Sequence, residues 1–209
     1  MKLDVSTIRF RVFNRDPLYD YREACKLTQG IELEQGTSLE VQNILFAPKD
    51  EVVYWIKQIV ANHSTLRCIR FRLTAKAPKS VIMQLIRATK GHPQPEVESS
   101  RPDWTGQERS SDPYEEKLFS QDHTAESFIE MAKQRLCKRT EESTRKFMFA
   151  LVTELRASEN PFLKAVGYCS APACYWYKRC PEIKGCGDEI AKLSDVIIEK
   201  YKNDKEEQS

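Results

Sequence analysis

The stretch Ile69-Arg70-Phe71-Arg72-Leu73-Thr74-Ala75-Lys76-Ala77-Pro78-Lys79-Ser80-Val81-Ile82-Met83-Gln84-Leu85-Ile86-Arg87 changes its hydrophobic period part-way along. Ile69, Phe71 and Leu73 alternate with Arg70, Arg72 and Thr74, the period of two that a half-buried strand requires. The strand ends at Lys76-Ala77-Pro78. Beyond it Val81, Ile82, Leu85 and Ile86 form one helical stripe, so Gln84 and Arg87 share a different face of the same helix. Upstream, Ile8, Phe10 and Val12 alternate with Arg9 and Arg11 in a second strand, and Asp16-Pro17 opens a short helix. Pro48-Lys49-Asp50-Glu51 starts another helix, carrying Val52, Val53, Ile56 and Ile59 as far as Asn62-His63.

Downstream, Gly91 to Glu116 has no periodicity and reads as a long loop. Thr124 caps a helix with Phe128, Met131 and Leu136 on one side, and a second helix from about Thr140 carries Phe147, Leu151 and Leu155. A cysteine-rich loop follows from Cys169 to Cys186, then a helix capped by Asp188 with Ile190, Leu193 and Ile197 facing in. Strands and helices in separate runs give an α+β expectation: a mixed or antiparallel sheet with packed helices. The expected organisation is one domain over 1–187, including the cysteine-rich loop 168–187. A C-terminal helix and charged tail occupy 188–209, fraying from Glu199.

The 209 residues suit one sizeable domain. A hydrophobic fraction of 40% against 31% charged excludes disorder throughout. Lys+Arg 33 against Asp+Glu 31 gives +2, so nothing global points to a nucleic-acid coat or a membrane surface. No window has the uninterrupted apolar length of a membrane span, and Met1-Lys2-Leu3-Asp4-Val5 lacks a secretory apolar region. The expected compartment is the cytoplasm. There the 7 Cys read as free thiols or metal ligands before disulfides. Neither G-x-G-x-x-G nor a Walker A sequence occurs. His92 and His123 have no serine or metal-ligand arrangement around them, which argues against a hydrolase.

One absence is informative. Between Glu51 and Glu96 there is no acidic residue, while Lys57, Arg67, Arg70, Arg72, Lys76, Lys79, Arg87 and Lys90 fall inside the interval. Such a segment is either a positive field awaiting an anion or a solvated basic face. The long loop adds Glu96, Glu98, Ser99, Ser100 and Arg101, a polar linker or a set of groups able to hold a phosphate.

These residues together resemble the core of the flavin-dependent thymidylate synthases. In that family a Gly-His-x-Ser/Thr turn ends a helix, a strand follows, and a helix carries Gln-x-x-Arg. The counterparts are Asn62-His63-Ser64-Thr65, the strand with Phe71, and Gln84-Leu85-Ile86-Arg87. Ser99-Ser100-Arg101 matches the second half of the family signature Arg-His-Arg-x-x-Ser-x-Asn-Glu-x-Ser-x-Arg-Tyr, and Glu142-Ser143-Thr144-Arg145 its Glu-x-Ala-Arg. The series runs in the family's order from about Val52 to Arg145. Ala88 and Thr89 replace the signature's His and second Arg, Pro102 replaces its Tyr, Cys68-Ile69 stands for the family's Glu-His, and the late Arg-rich helix has no counterpart.

The resemblance implies a thymidylate synthase-like α+β fold and a homotetramer with active sites shared between subunits. It implies transfer of a one-carbon unit from methylenetetrahydrofolate to C5 of dUMP, with FAD as hydride carrier and NADPH as its reductant. No protein nucleophile is needed. The implied dUMP residues are Gln84, Arg87, Ser99, Ser100, Arg101 and Arg145, and His63, Thr65 and Arg87 are implied for flavin or folate. A related deoxypyrimidine-nucleotide hydroxymethylase stays open. So does a protein of another class, gripping nucleic acid through a basic surface and a zinc-stabilised cysteine loop, although the near-zero net charge disfavours it.

Cys169, Cys174, Cys180 and Cys186 are separated by four, five and five residues. Thiolates suit zinc or an iron–sulfur cluster, but close C-x-x-C pairs are missing, so incidental thiols in an aromatic-packed loop remain an equal reading. Tyr168, Tyr175, Trp176 and Tyr177 interleave with Lys178 and Arg179 and could stack on a base or a pterin.

Overall fold

The computed structural model describes residues 5–30, 48–88, 95–106, 110–186 and 193–206. Four strands, β1 (Arg9–Val12), β2 (Phe71–Pro78), β3 (Glu96–Val97) and β4 (Glu116–His123), form one sheet in the order β1-β2-β4-β3. Every pairing is antiparallel. Helices α1 (Pro17–Thr28), α2 (Glu51–Ala61), α3 (Lys79–Ala88), α4 (Pro102–Thr105), α5 (Ala125–Arg135), α6 (Glu142–Ala157), α7 (Pro161–Cys169), α8 (Ala173–Tyr177) and α9 (Leu193–Glu206) complete the described fold. It is α+β with an antiparallel sheet. No described helix is long and apolar enough to cross a membrane.

The change of period at Pro78 is realised as read. Phe71, Leu73, Ala75 and Ala77 of β2 are fully buried, and Lys79 follows directly into α3, whose Val81, Ile82 and Leu85 join the same core. Asp16 and Asp50 cap α1 and α2 by accepting from Tyr19 N and Val53 N at 3.0 Å each. Thr124 and Ser127 close a reciprocal capping box on α5. Trp55, Phe71, Phe128 and Phe162 make successive ring contacts at the core's centre, centroids 5.2 to 6.4 Å apart.

Three elements depart from the sequence expectation. The presumed loop from Gly91 to Glu116 holds β3 and α4, and β4 begins at its end. In β4 the inward positions are Lys117, Phe119, Gln121 and His123, all buried, while Leu118 points out at 43% exposure. Its polarity alternates in the opposite sense to an apolar-in strand, so a search for apolar residues at period two passes over it. α7 precedes the cysteine segment, and Cys169 is its last residue.

The C-terminal tail is the third. Asp188 and Ile190 lie outside the described residues, but α9 does not fray at Glu199; it runs to Glu206. The Tyr201 hydroxyl and Lys205 Nζ donate to Asp50 at 3.3 and 3.1 Å, and Tyr168 donates to Asp204 at 2.7 Å. Burial raises the Asp50 carboxyl, but the Val53 N–H, Lys205 and Tyr201 outweigh it and hold Asp50 below the ordinary carboxylate value. A depressed folded value means stabilisation that is present above about pH 4 and lost as the pH falls. Glu141, held down to about 2, adds in the same direction. Asp50→Ala removes a cap and the anchor of α9, with an expected loss of about 2 kcal/mol. Urea melts of the variant at neutral pH, and of the parent down to about pH 3, check both statements.

Candidate functional site

The carboxylate-free interval meets its acids across the fold. Arg67 donates to both carboxylate oxygens of Glu126 on α5 at 2.6 and 3.1 Å. Arg72 does the same with Asp122 of β4, also at 2.6 and 3.1 Å. Lys79 pairs with Glu115 and donates to the Ser110 carbonyl at 3.0 Å. Three of the interval's eight basic side chains are thereby paired with acids from residues 115–126. Lys90 and Thr89 fall outside the described residues.

Three cavities gather around α8, the five-residue helix inside the cysteine segment. A cavity of about 350 Å³ lies between α5, α6, α7, α9 and the segment from Ser170 to Cys186. A second, of about 240 Å³, lies between the end of α2, the start of α5 and the rings of Trp176 and Tyr177. A third, of about 560 Å³, lies beside Gln84 of α3, the end of α5 and the turn before α6. Lys133 lines all three. Its side chain is only 11% exposed, pairs with Glu130, and rests 4.6 and 5.4 Å from the Trp176 and Tyr177 ring centres.

Of the residues implied by the family resemblance, His63 lines the second cavity, Gln84 the third and Arg145 the first. Residues far apart in the chain thus reach cavities that meet at one lysine. The other assignments do not converge with them. Thr65 faces α1, where its hydroxyl meets the Cys25 thiol at 3.5 Å. Ser99 accepts from the Arg101 amide at 3.1 Å in a local turn, and the Arg101 side chain is 58% exposed beside Asp103. Ser100, Arg101 and Arg87 line none of these three cavities. Within one described chain, Arg87 and Arg101 therefore share none of these three cavities with Arg145.

Arg145 owes its position to an unusual helix start. Glu141 caps α6, accepting from the Ser143 and Thr144 amides at 2.9 Å each and from both hydroxyls. This fixes the first turn and directs Arg145, the next residue, into the largely apolar cavity. A cation in a first helical turn opposes the helix dipole. Arg145 Nε is nevertheless buried and has no hydrogen-bond partner among the described residues. Phe149, Val152 and Arg156 continue the same stripe of α6 along the cavity wall. Arg156 Nε donates to the Gly167 carbonyl at 3.1 Å, and burial lowers its guanidinium from the ordinary value. Lys133, Lys138, Arg139 and Lys200 add further positive charge around this cavity, where among the described residues Glu182 is the one acid on its wall. Arg156, Arg139 and Lys133 were missed in the sequence because they belong to no motif; only the burial of their neighbours reveals them.

Cys169 is not part of a thiol group. It is fully buried at the end of α7, and burial drives its thiol far above the ordinary value. Cys137, Cys174, Cys180 and Cys186 do line the first cavity. Among the described residues, however, no three His, Cys, Asp or Glu side chains are placed to hold a metal ion.

No family model matches the chain, and no curated protein matches it either.

Proposed function

We propose that this chain is a pyrimidine-nucleotide enzyme of the flavin-dependent thymidylate synthase kind, passing a one-carbon unit from methylenetetrahydrofolate to C5 of dUMP. The observation that carries the reading is Arg145: a guanidinium with no carboxylate bond among the described residues, set against the helix dipole, in a cation-rimmed cavity with apolar walls. A nucleoside monophosphate matches those features. Its dianionic phosphate replaces the missing carboxylate at Arg145, and its flat ring lies along Phe149 and Val152. Arg156, further along the stripe, offers donors to a ring carbonyl. FAD, when bound, supplies the hydride, and NADPH restores it. The residues fit that cofactor in part. His63, beside the aromatic wall of Trp176 and Tyr177, and Arg87, exposed and without an ion pair among the described residues, are placed to hold it; Thr65, turned toward Cys25, is not. Completion of the site by a neighbouring subunit, as in a homotetramer, would account for Arg101 and Ser99-Ser100 lying apart from Arg145 within one chain.

Thermal shift with dUMP, dCMP, dTMP and FAD tests the proposal. The expected result is stabilisation by dUMP at concentrations where chloride of equal ionic strength has no effect, together with oxidised-flavin absorbance after reconstitution. Stabilisation by dCMP in preference to dUMP would redirect the reading to a hydroxymethylase. Indifference to all four ligands, with oligonucleotide binding that weakens steeply with salt, would replace it by a nucleic-acid-binding role.

A further inference from the structure

The two faces of the sheet differ. On one, Phe71 meets Phe128 of α5 and Phe162 of α7, and Phe119 meets Phe147 of α6, so these helices cover that side. Strand alternation sends the intervening residues to the other side. There the register sets Arg11 beside Arg72 and Asp122, Arg9 beside Thr74, and Lys76 beside Leu118, all of them exposed or half-buried. Phe13 and Arg70, joined by a backbone bond of 2.9 Å just past the paired residues, continue the same side. Charge on this outer face is divided: the cations stand on and beside β1 and β2, whereas Glu96 and Glu116 stand on β3 and at the far end of β4. Asp122 faces the basic half, and Arg72 above all, with the Arg70 charge, holds its carboxyl below the ordinary value. Arg11, Arg70 and Lys76 make no carboxylate bond among the described residues. Phe13 lies among these cations, outside the core and 42% exposed, with the Arg11 and Arg72 guanidiniums 5.3 and 5.4 Å from its ring centre.

We propose that the outer face of β1 and β2 binds a single strand of nucleic acid, RNA or DNA. Its phosphates lie along Arg11, Arg70 and Lys76; the last two are six extended residues apart, about 20 Å. Its bases stack on the Phe13 ring and on the guanidinium planes beside it. A duplex keeps its base faces inside the stack and cannot use that ring, so the strand is single. An acidic peptide would satisfy the cations and leave the exposed ring without a partner. None of these side chains lines any of the three cavities, and the helices around the Arg145 cavity cover the opposite side of the sheet. Strand and mononucleotide therefore bind independently, and this inference does not rest on the nucleotide reading.

Fluorescence anisotropy with labelled oligo-dT and oligo-U of about 12 nucleotides, titrated with the full chain, tests the proposal. Three cations on phosphates give a slope of log affinity against log salt of about −2. Phe13→Ala weakens binding about tenfold and leaves the slope unchanged, the loss expected when one base loses its stacking partner. Arg11→Gln and Lys76→Gln, both at exposed positions, each reduce the slope by about 0.7. Lys57→Gln makes the same change of charge on the exposed side of α2 and leaves affinity as it was. Tighter binding of oligo-U assigns the face to RNA through its 2′-hydroxyls, and equal binding assigns it to single strands of either sugar. Affinity unaffected by Phe13→Ala, equal losses from the Lys57 and Lys76 variants, or a duplex or poly-glutamate held as tightly as the single strand overturns the proposal and leaves a solvated basic face. A chain that binds the strands but is not stabilised by dUMP loses the nucleotide reading and keeps this one; the converse result removes this one alone.

Discussion

Replacing Gly167 by alanine is expected to destabilise the protein by about 3 kcal/mol, a fall in melting temperature of roughly 6–12 °C for a chain of this size. Two effects of opposite sign compete. Alanine improves the helix propensity of α7 by about 1 kcal/mol relative to glycine. Against this, a methyl at Gly167 would stand 2.8 Å from the backbone nitrogen of Arg156 and 2.9 Å from Leu155 Cβ on α6. The first of those atoms is backbone and cannot rotate aside, so α6 and α7 must separate. Separation loosens the packing of Leu155, Phe162 and Val166, each at most 1% exposed. It also stretches the bond from Arg156 Nε to the Gly167 carbonyl, which braces one wall of the candidate nucleotide cavity. The packing loss exceeds the propensity gain. A differential scanning measurement showing an unchanged or higher melting point would refute the close approach of these two helices.

What the sequence reveals and what it hides divide along physical lines. The change of period at Pro78, the helix start within Pro48–Glu51 and the Thr124 cap are local, encoded within a few residues, and all are found. β4 is hidden because its inward positions carry Lys117, Gln121 and His123 beside Phe119, polar residues that a search for apolar side chains at period two does not register. Lys117 pairs with Glu115 at 2.7 Å, and the His123 ring packs between Phe71 and Phe128 with Nδ1 3.2 Å from Ser127 Oγ. What buries this polar row is the pairing of β4 with β2, two segments about forty residues apart, which no local pattern carries.

The basic interval shows the same limit for function. Its lack of acids is real in the sequence. Arg67 and Arg72, however, find theirs 59 and 50 residues away, so sequence distance alone made them look unpaired. The sequence singles out Arg145 by a motif, whereas the burial of its Nε and the stripe it begins appear only in the fold. The cysteine spacing likewise leaves out the fold: Cys169 belongs to α7 by helix packing, and Cys137, outside the run, stands at the cavity wall.

Arg145→Ala is expected to weaken dUMP binding by one to two orders of magnitude, about 1.5–3 kcal/mol for a charge-assisted contact with a phosphate, while leaving the ligand-free chain as stable as before. The two halves of that expectation arise from one geometry. Among the described residues the guanidinium makes no carboxylate bond, although its charge helps lower the neighbouring Glu142 carboxyl, and its place in the first turn of α6 sets it against the helix dipole. Its removal costs the contacts of its aliphatic stem, and the relief of the dipole offsets that cost. With phosphate present, the same lack of a competing carboxylate makes the contact strong, because no internal pair has to break first. An arginine kept only for packing would show the reverse, a lower melting point with dUMP affinity untouched. Arg101→Ala separates the two ways of building the site. A comparable loss of affinity requires Arg101 to arrive from a neighbouring subunit, since within one described chain it stands exposed beside Asp103; unchanged affinity confines the nucleotide to the Arg145 cavity. If both alanine variants bind dUMP like the parent, the nucleotide assignment of this cavity fails, and its positive charge needs another ligand.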